Sequence, residues 1–166
     1  MNTLPDALPL IRAVEPRDLP AVVGLIHELA EFESLTHLFE ATPEALGRHL
    51  FAERPSAECL VAQQGDTLVG FALFFTTFST FKCKPSLYLE DLYVQPSQRG
   101  NGLGKRLLKQ LGALAVARDY GRFEWCVLDW NTNAIAFYEK MGASLLPDWR
   151  LCRLSGDALQ AFAAPA

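Results

Sequence analysis

The stretch from Leu87 to Ala115 constrains this chain most. It joins an apolar strand pattern, L-Y-L-E-D-L-Y-V, to the loop Q-R-G-N-G-L-G and then to an amphipathic helix. Gly100, Gly102 and Gly104 alternate directly before the helical stripe Leu103, Leu107, Leu108, Leu111, Leu114 and Ala115. Glycines packed this densely let backbone N–H groups approach a ligand, and the helix start adds unsatisfied donors and the positive end of its dipole. Arg99, Lys105 and Arg106 bring positive charge to the same place. The loop therefore reads as a cradle for a pyrophosphate. Two nucleotide motifs fail on counting. A dinucleotide fingerprint begun at Gly100 needs glycine where Lys105 stands, and a P-loop ending in Gly104-Lys105 needs glycine at Arg99 and Ser or Thr at Arg106.

Around this stretch the chain reads as one domain spanning residues 1–166, with a core of about 10–154 and no repeat, low-complexity tract or linker. A net charge of −4 argues against a nucleic-acid surface and favours a cationic substrate. No apolar run reaches the length of a membrane span, and the opening MNTLPDALPLIRAV has neither a basic n-region nor a long apolar h-region. A cytoplasmic protein with no membrane partner is expected. Cys59, Cys83, Cys126 and Cys152 are scattered without zinc-like spacing, and His27, His37 and His49 form no i, i+4 pair. No metal site is expected.

The pattern predicts strands at Leu10–Val14, Cys59–Ala62, Thr67–Phe75, Leu87–Val94, Phe123–Trp130 and Trp149–Leu154. Helices are predicted after Asp18 as N-cap, after Thr42-Pro43, from about Leu103, and from Asn131 or Asn133 to Gly142. Gly65-Asp66 signals a hairpin. The order β-α-α-β-β-β-α-β-α-β implies an α/β (α+β) fold, a mixed sheet covered by helices.

Two further features carry chemistry. Glu90 and Asp91 sit side by side in an otherwise apolar strand, where charged groups need a partner or a purpose. Strict strand alternation sends them to opposite faces, so they do not form a dyad sharing one proton. The second feature is D-W-N-T-N-A-I-A-F-Y-E-K-M-G, residues 129–142, an Asn-rich helix start followed by Phe137-Tyr138.

Together, R-G-N-G-L-G and N-x-N-A-x-x-F-Y-x-x-x-G-A resemble the two cofactor segments of the GNAT superfamily of acetyl-CoA-dependent N-acetyltransferases. Within it, L-Y-L-E-D-L-Y-V, D-W-N-x-x-x-I-x-F-Y, the terminal D-W-R-L and the segment Glu28–Glu33 are similar to the spermidine/spermine (diamine) and thialysine N-acetyltransferases. The resemblance implies a GNAT-like mixed sheet, acetyl-CoA as cosubstrate, no metal, and a homodimer. It assigns the pyrophosphate to Arg99, Gly100, Asn101, Gly102, Leu103, Gly104 and Lys105. Backbone N–H groups of Leu92, Tyr93 and Val94 would hold the pantetheine and the acetyl carbonyl, with Asn131, Asn133 and Ala134 on the cofactor's other side.

Acetyl transfer to an amine needs a neutral nucleophile, stabilisation of the carbonyl oxygen and a proton for the departing thiolate. By resemblance, Tyr138 supplies that proton and Glu90 accepts the amine's, through water. Glu33 and Asp91 attract the cation, while Phe32 and Trp149 pack on its aliphatic part. Cys126 has no His base beside it, and no covalent enzyme intermediate is required. The expected substrate is the primary amine of a polyamine, diamine or thialysine. Short Ser144–Asp148 lacks the acidic run of the polyamine-acetylating relatives, and Phe32 replaces their hydroxylated aromatic, which leaves room for thialysine or a small amino acid. The alternatives are a protein or peptide N-acetyltransferase and a non-catalytic acetyl-CoA-binding module.

Overall fold

The computed structural model describes residues 8–165, which divide into two compact units at Cys126/Val127. The first unit is built on a five-stranded sheet in the order β1 (Leu10–Ala13), β2 (Glu58–Gln64), β3 (Thr67–Ser79), β4 (Lys84–Val94) and β5 (Phe123–Trp125). β1 to β4 pair antiparallel and β4 pairs parallel with β5. Gly65 turns the β2–β3 hairpin with φ of 58°, a conformation that glycine adopts without a Cβ penalty. The fold class is the mixed α/β arrangement expected from the order of elements.

Three helices belong to this unit: α1 (Leu19–Phe32), α2 (Pro43–Leu50) and α3 (Leu103–Ala117). Helical spacing puts Val22 and Leu25 of α1 into one core with Leu50 of α2 and with Cys59, Val61, Phe71 and Tyr93 of the sheet. Tyr93 thus marks the sheet face that α1 covers. Its neighbour Val94 points the other way, and a Cβ on Gly104 of α3 would touch Val94 Cγ2 at 4.0 Å. α3 therefore packs on the opposite face, through buried Leu103, Leu107, Leu108, Leu111 and Ala115. Truncating Phe71 or Leu107, both fully buried, would cost about 3–5 kcal/mol through lost burial and a residual cavity.

The second unit holds α4 (Thr132–Lys140) and α5 (Gly156–Ala163). Asn131 is the N-cap of α4, its side-chain oxygen accepting from Ala134 N at 3.3 Å. Gly142, with φ of 91°, ends that helix.

Several expectations are corrected. Asp18 precedes α1 but makes no cap bond. Its carboxylate is taken instead by Arg12, at 2.6 and 2.9 Å, and by the Glu15 N–H. That ion pair holds Asp18 below the usual carboxylate range. The strand expected over 123–130 pairs only as far as Trp125. Residues 149–154 join no ladder among the described residues, and the helix Gly156–Ala163 was not expected.

Candidate active site

The site in the first unit is organised by a defect in β4. Leu73 of β3 faces Asp91, but the next residue, Phe74, faces Leu89, so Glu90 is an extra residue with no cross-strand partner. It is a β-bulge, and a bulge shifts the phase of everything after it. Before it, the Leu87 N–H bonds to Arg122 O, on the β5 side. After it, the Gln95 N–H bonds to Val69 O, on the β3 side. Backbone groups alternate along a strand, so Asp91 and Tyr93 also face β3, and Leu92 and Val94 face away from it. β5 pairs with β4 only at Leu87, Tyr88 and Leu89, so those outward groups lie past the end of the ladder. Leu92 and Val94 therefore carry the outward backbone N–H groups, while the Tyr93 side chain is buried on the α1 side.

The same phase shift changes the carboxylates. Asp91 stands opposite Leu73, on the face that α1 covers, and Glu90 is exposed at the bulge. Burial pushes Asp91 up to about 6, and the neighbouring charges of Glu90 and then Glu33 push in the same direction. Burial also raises Glu33, the residue that ends α1. Strict alternation had separated Glu90 from Asp91; the bulge leaves their charges coupled, with Glu33 as a third member. A buried carboxyl whose charge is opposed by two neighbouring acidic residues is a place where a cation is worth more than water.

Directly downstream, Gly100 and Gly102 adopt φ of 81° and 84°, and a Cβ added at either would meet nothing within 4 Å. The glycines are thus required by backbone conformation, and the space beside them is open. α3 starts at Leu103, whose N–H is taken by Asn101 Oδ1 at 3.1 Å. The first intrahelical bond from this turn is Arg106 N to Gly102 O, which leaves the Gly104 and Lys105 N–H groups at the helix mouth. Open backbone, free donors and a helix dipole suit a pyrophosphate. Arg106 adds an Nη1 that is buried without a protein partner.

Arg99 turns away from this mouth. Its Nε donates to Val94 O at 2.8 Å, and its guanidinium lies 5.2 Å from the Phe32 ring centroid and 5.4 Å from that of Tyr93. Phe32, half-exposed at the end of α1, thus meets the glycine loop's first residue. Two contacts here were not read from the sequence. Glu28 accepts from Tyr93 Oη and Gln95 Nε2, both at 3.0 Å. Tyr88 Oη donates to Cys126 Sγ at 3.1 Å, which with burial pushes the Tyr88 phenol up to about 12. Pairings between residues so far apart in sequence leave no local pattern to read.

The other expected residues belong to the second unit. Asn131 caps α4, Thr132 and Asn133 begin it, Ala134 N receives the cap, and Tyr138 lies in its last turn with the Phe137 ring 5.4 Å away. Trp149 is exposed. Among the described residues no group of three or more His, Cys, Asp or Glu could hold a metal, and no helix is long and apolar enough to cross a membrane.

This sheet, with a strand end open beside a glycine-rich helix start, defines an acyl-CoA-type transferase scaffold, and comparison with known proteins agrees. The model of the acetyltransferase (GNAT) family matches residues 24–143, and the chain belongs to that family. It is an acyltransferase, and its family acts as N-acetyltransferases. It is 36% identical to L-ornithine N5-acetyltransferase NATA1 of Arabidopsis thaliana, across 97% of this chain and 93% of that protein. It is 35% identical to the thialysine N-epsilon-acetyltransferase of Mus musculus, across 92% and 96%. Among solved structures, an integron cassette protein from the mobile metagenome of V. cholerae superposes with a TM-score of 0.80 at 28% identity, covering 96% of this chain and 99% of that one.

Proposed function

We propose that the chain, acting as a single domain, transfers an acetyl group from acetyl-CoA to the primary amine of a small substrate carrying a second positive charge. One observation carries this reading: at the end of β4, immediately before the glycine loop, burial and then the neighbouring charges of Glu90 and Glu33 raise the proton affinity of Asp91. Acetyl-CoA supplies the acetyl group as a thioester. Gly100 to Lys105 hold its pyrophosphate and the Leu92 and Val94 N–H groups hold its arm and acetyl carbonyl; Asn131, Asn133 and Ala134 are assigned to the cofactor by resemblance to the family. Glu90 is exposed and takes the amine's proton through water, which makes the nitrogen a nucleophile. Asp91 and Glu33 hold the second cationic group. Tyr138 donates its phenolic proton to the leaving sulfur. Phe32 and Trp149 cover the substrate's methylenes. All groups act in one ternary complex, in a cytoplasmic homodimer.

The names of the relatives above give ornithine and thialysine as substrates, each of which carries two amino groups, and this supports the same substrate class here. The deciding experiment is steady-state kinetics with thialysine, ornithine, spermidine, a neutral monoamine and a short peptide. Higher kcat/KM for the substrates with a second ammonium group is expected. Equal use of the neutral amine, or preference for the peptide, overturns the substrate assignment.

A further inference from the structure

One carboxylate beside the site has no part in this chemistry. α1 brings half-buried Glu28 against the last residues of β4. Tyr93 Oη donates to its Oε2 at 3.0 Å, and Gln95 Nε2 donates to its Oε1 at 3.0 Å and Oε2 at 3.4 Å. The Tyr93 ring in turn lies under the Arg99 guanidinium, and Arg99 Nε is tied to Val94 O at 2.8 Å. Glu28, Tyr93, Arg99, Val94 and Gln95 thus make a closed circuit around the end of β4. Val94 lies on that circuit, and Leu92 and Gly100 are each one residue from it along the chain. Hydrogen bonds to an ionised acceptor are among the stronger ones, and deleting the acceptor leaves the Tyr93 hydroxyl unpaired beside the core.

We infer that Glu28 is a positioning residue for acetyl-CoA, holding the end of β4 and the first residue of the glycine loop in their receiving geometry without touching the cosubstrate. The inference rests on the acetyltransferase reading. It separates three roles for the residue: a hydrogen-bonded clasp, a bare negative charge, and a tie that matters only for folding.

The test is calorimetric titration with acetyl-CoA together with steady-state kinetics of the wild type, Glu28→Ala and Glu28→Gln. Glu28→Ala should raise the Kd and KM for acetyl-CoA about tenfold, as expected for loss of a charge-assisted bond, with kcat and the amine KM within about twofold. Glu28→Gln should recover most of that loss. Its amide oxygen can accept from Tyr93, while Gln95 turns its own oxygen toward the new N–H2. A lower Tm with unchanged acetyl-CoA affinity in Glu28→Ala would overturn the inference, since a folding tie does only that. Equal loss in both variants would also overturn it, leaving charge as the cause. If Glu28→Ala does not fold, Tyr93→Phe removes only the donor and should still raise Kd about threefold, and an unchanged Kd there sinks the clasp. Wild type that fails to bind acetyl-CoA removes the acetyltransferase reading and the clasp together; wild-type binding with unaltered variants removes the clasp alone.

Discussion

Asp91 is a residue whose charge the fold resists. Its pKa of about 6 lies above the ordinary 3.8, chiefly through burial and then through Glu90 and Glu33. The folded protein therefore holds this proton more tightly than the unfolded chain. The corresponding stability is complete below pH 3.8 and is lost as pH rises through about 6, a change on the order of 3 kcal/mol. Asp91→Asn has no such proton to lose. Chemical denaturation at pH 4 and pH 7 should show wild type falling relative to the variant across that interval, with no further divergence at higher pH. A bound cation favours the ionised form, so amine affinity should rise from pH 5 to pH 7. Amine affinity that stays flat over this range would remove Asp91 from the substrate site. Tyr138→Phe tests the leaving group: turnover should fall about ten- to a thousandfold while acetyl-CoA affinity holds. Full activity would reduce Tyr138 to packing. Most of these residues could be found by type and spacing, because a carboxylate pair in an apolar strand is conspicuous in one dimension. Glu28 could not, since its partners Tyr93 and Gln95 become neighbours only when α1 lies on β4.

Among the elements, the start of α3 was the most legible. Glycine spacing and helical periodicity are local, and Leu103 begins the helix where the stripe begins. The structure adds the reason for Gly102, whose φ of 84° is costly for any residue with a Cβ. Gly102→Val would strain the turn and direct a branched side chain into the open space beside it, so calorimetry should show acetyl-CoA binding weakened well beyond any loss of Tm. Binding equal to wild type would mean that the loop's backbone is not in contact with the cosubstrate. The expected strand over 149–154 shows the opposite case. Its apolar pattern was readable, but a strand exists only through a ladder, and sequence pattern names no partner edge. The cap expected at Asp18 failed for a similar reason: Arg12 competes for the carboxylate and wins with two bonds.

For the whole molecule, a charge of −4 and three carboxylates around one strand end give a field that attracts cations and weakens with salt. kcat/KM for a dicationic amine should therefore fall between low and high ionic strength more steeply than for a neutral amine. Parallel salt dependences would locate the discrimination in shape alone. The α/β class was legible because element order limits how a chain can cover a sheet. How the last forty residues pack was not, because their pattern of strands and helices has more than one local solution.

The bulge in β4 separates two things a mutation can change: what a residue is and how many residues there are. Glu90 is the exposed, unpaired member of the strand, so exchanging its side chain should barely affect folding. Deleting it joins Leu89 directly to Asp91, and their partners Phe74 and Leu73 are already adjacent, so the ladder closes into an unbroken one. Asp91 and Tyr93 stay on the face that α1 covers, and the Leu92 and Val94 amides still point away from β3. What the deletion removes is the extra local twist and the exposed carboxylate. Both variants should therefore unfold cooperatively, and Glu90→Gln should melt within a few degrees of wild type. Loss of cooperative unfolding in the deletion would mean that the bend of the strand, and not its register, holds the end of β4 in place. At this position the extra residue serves the site, while the ladder around it is already in frame.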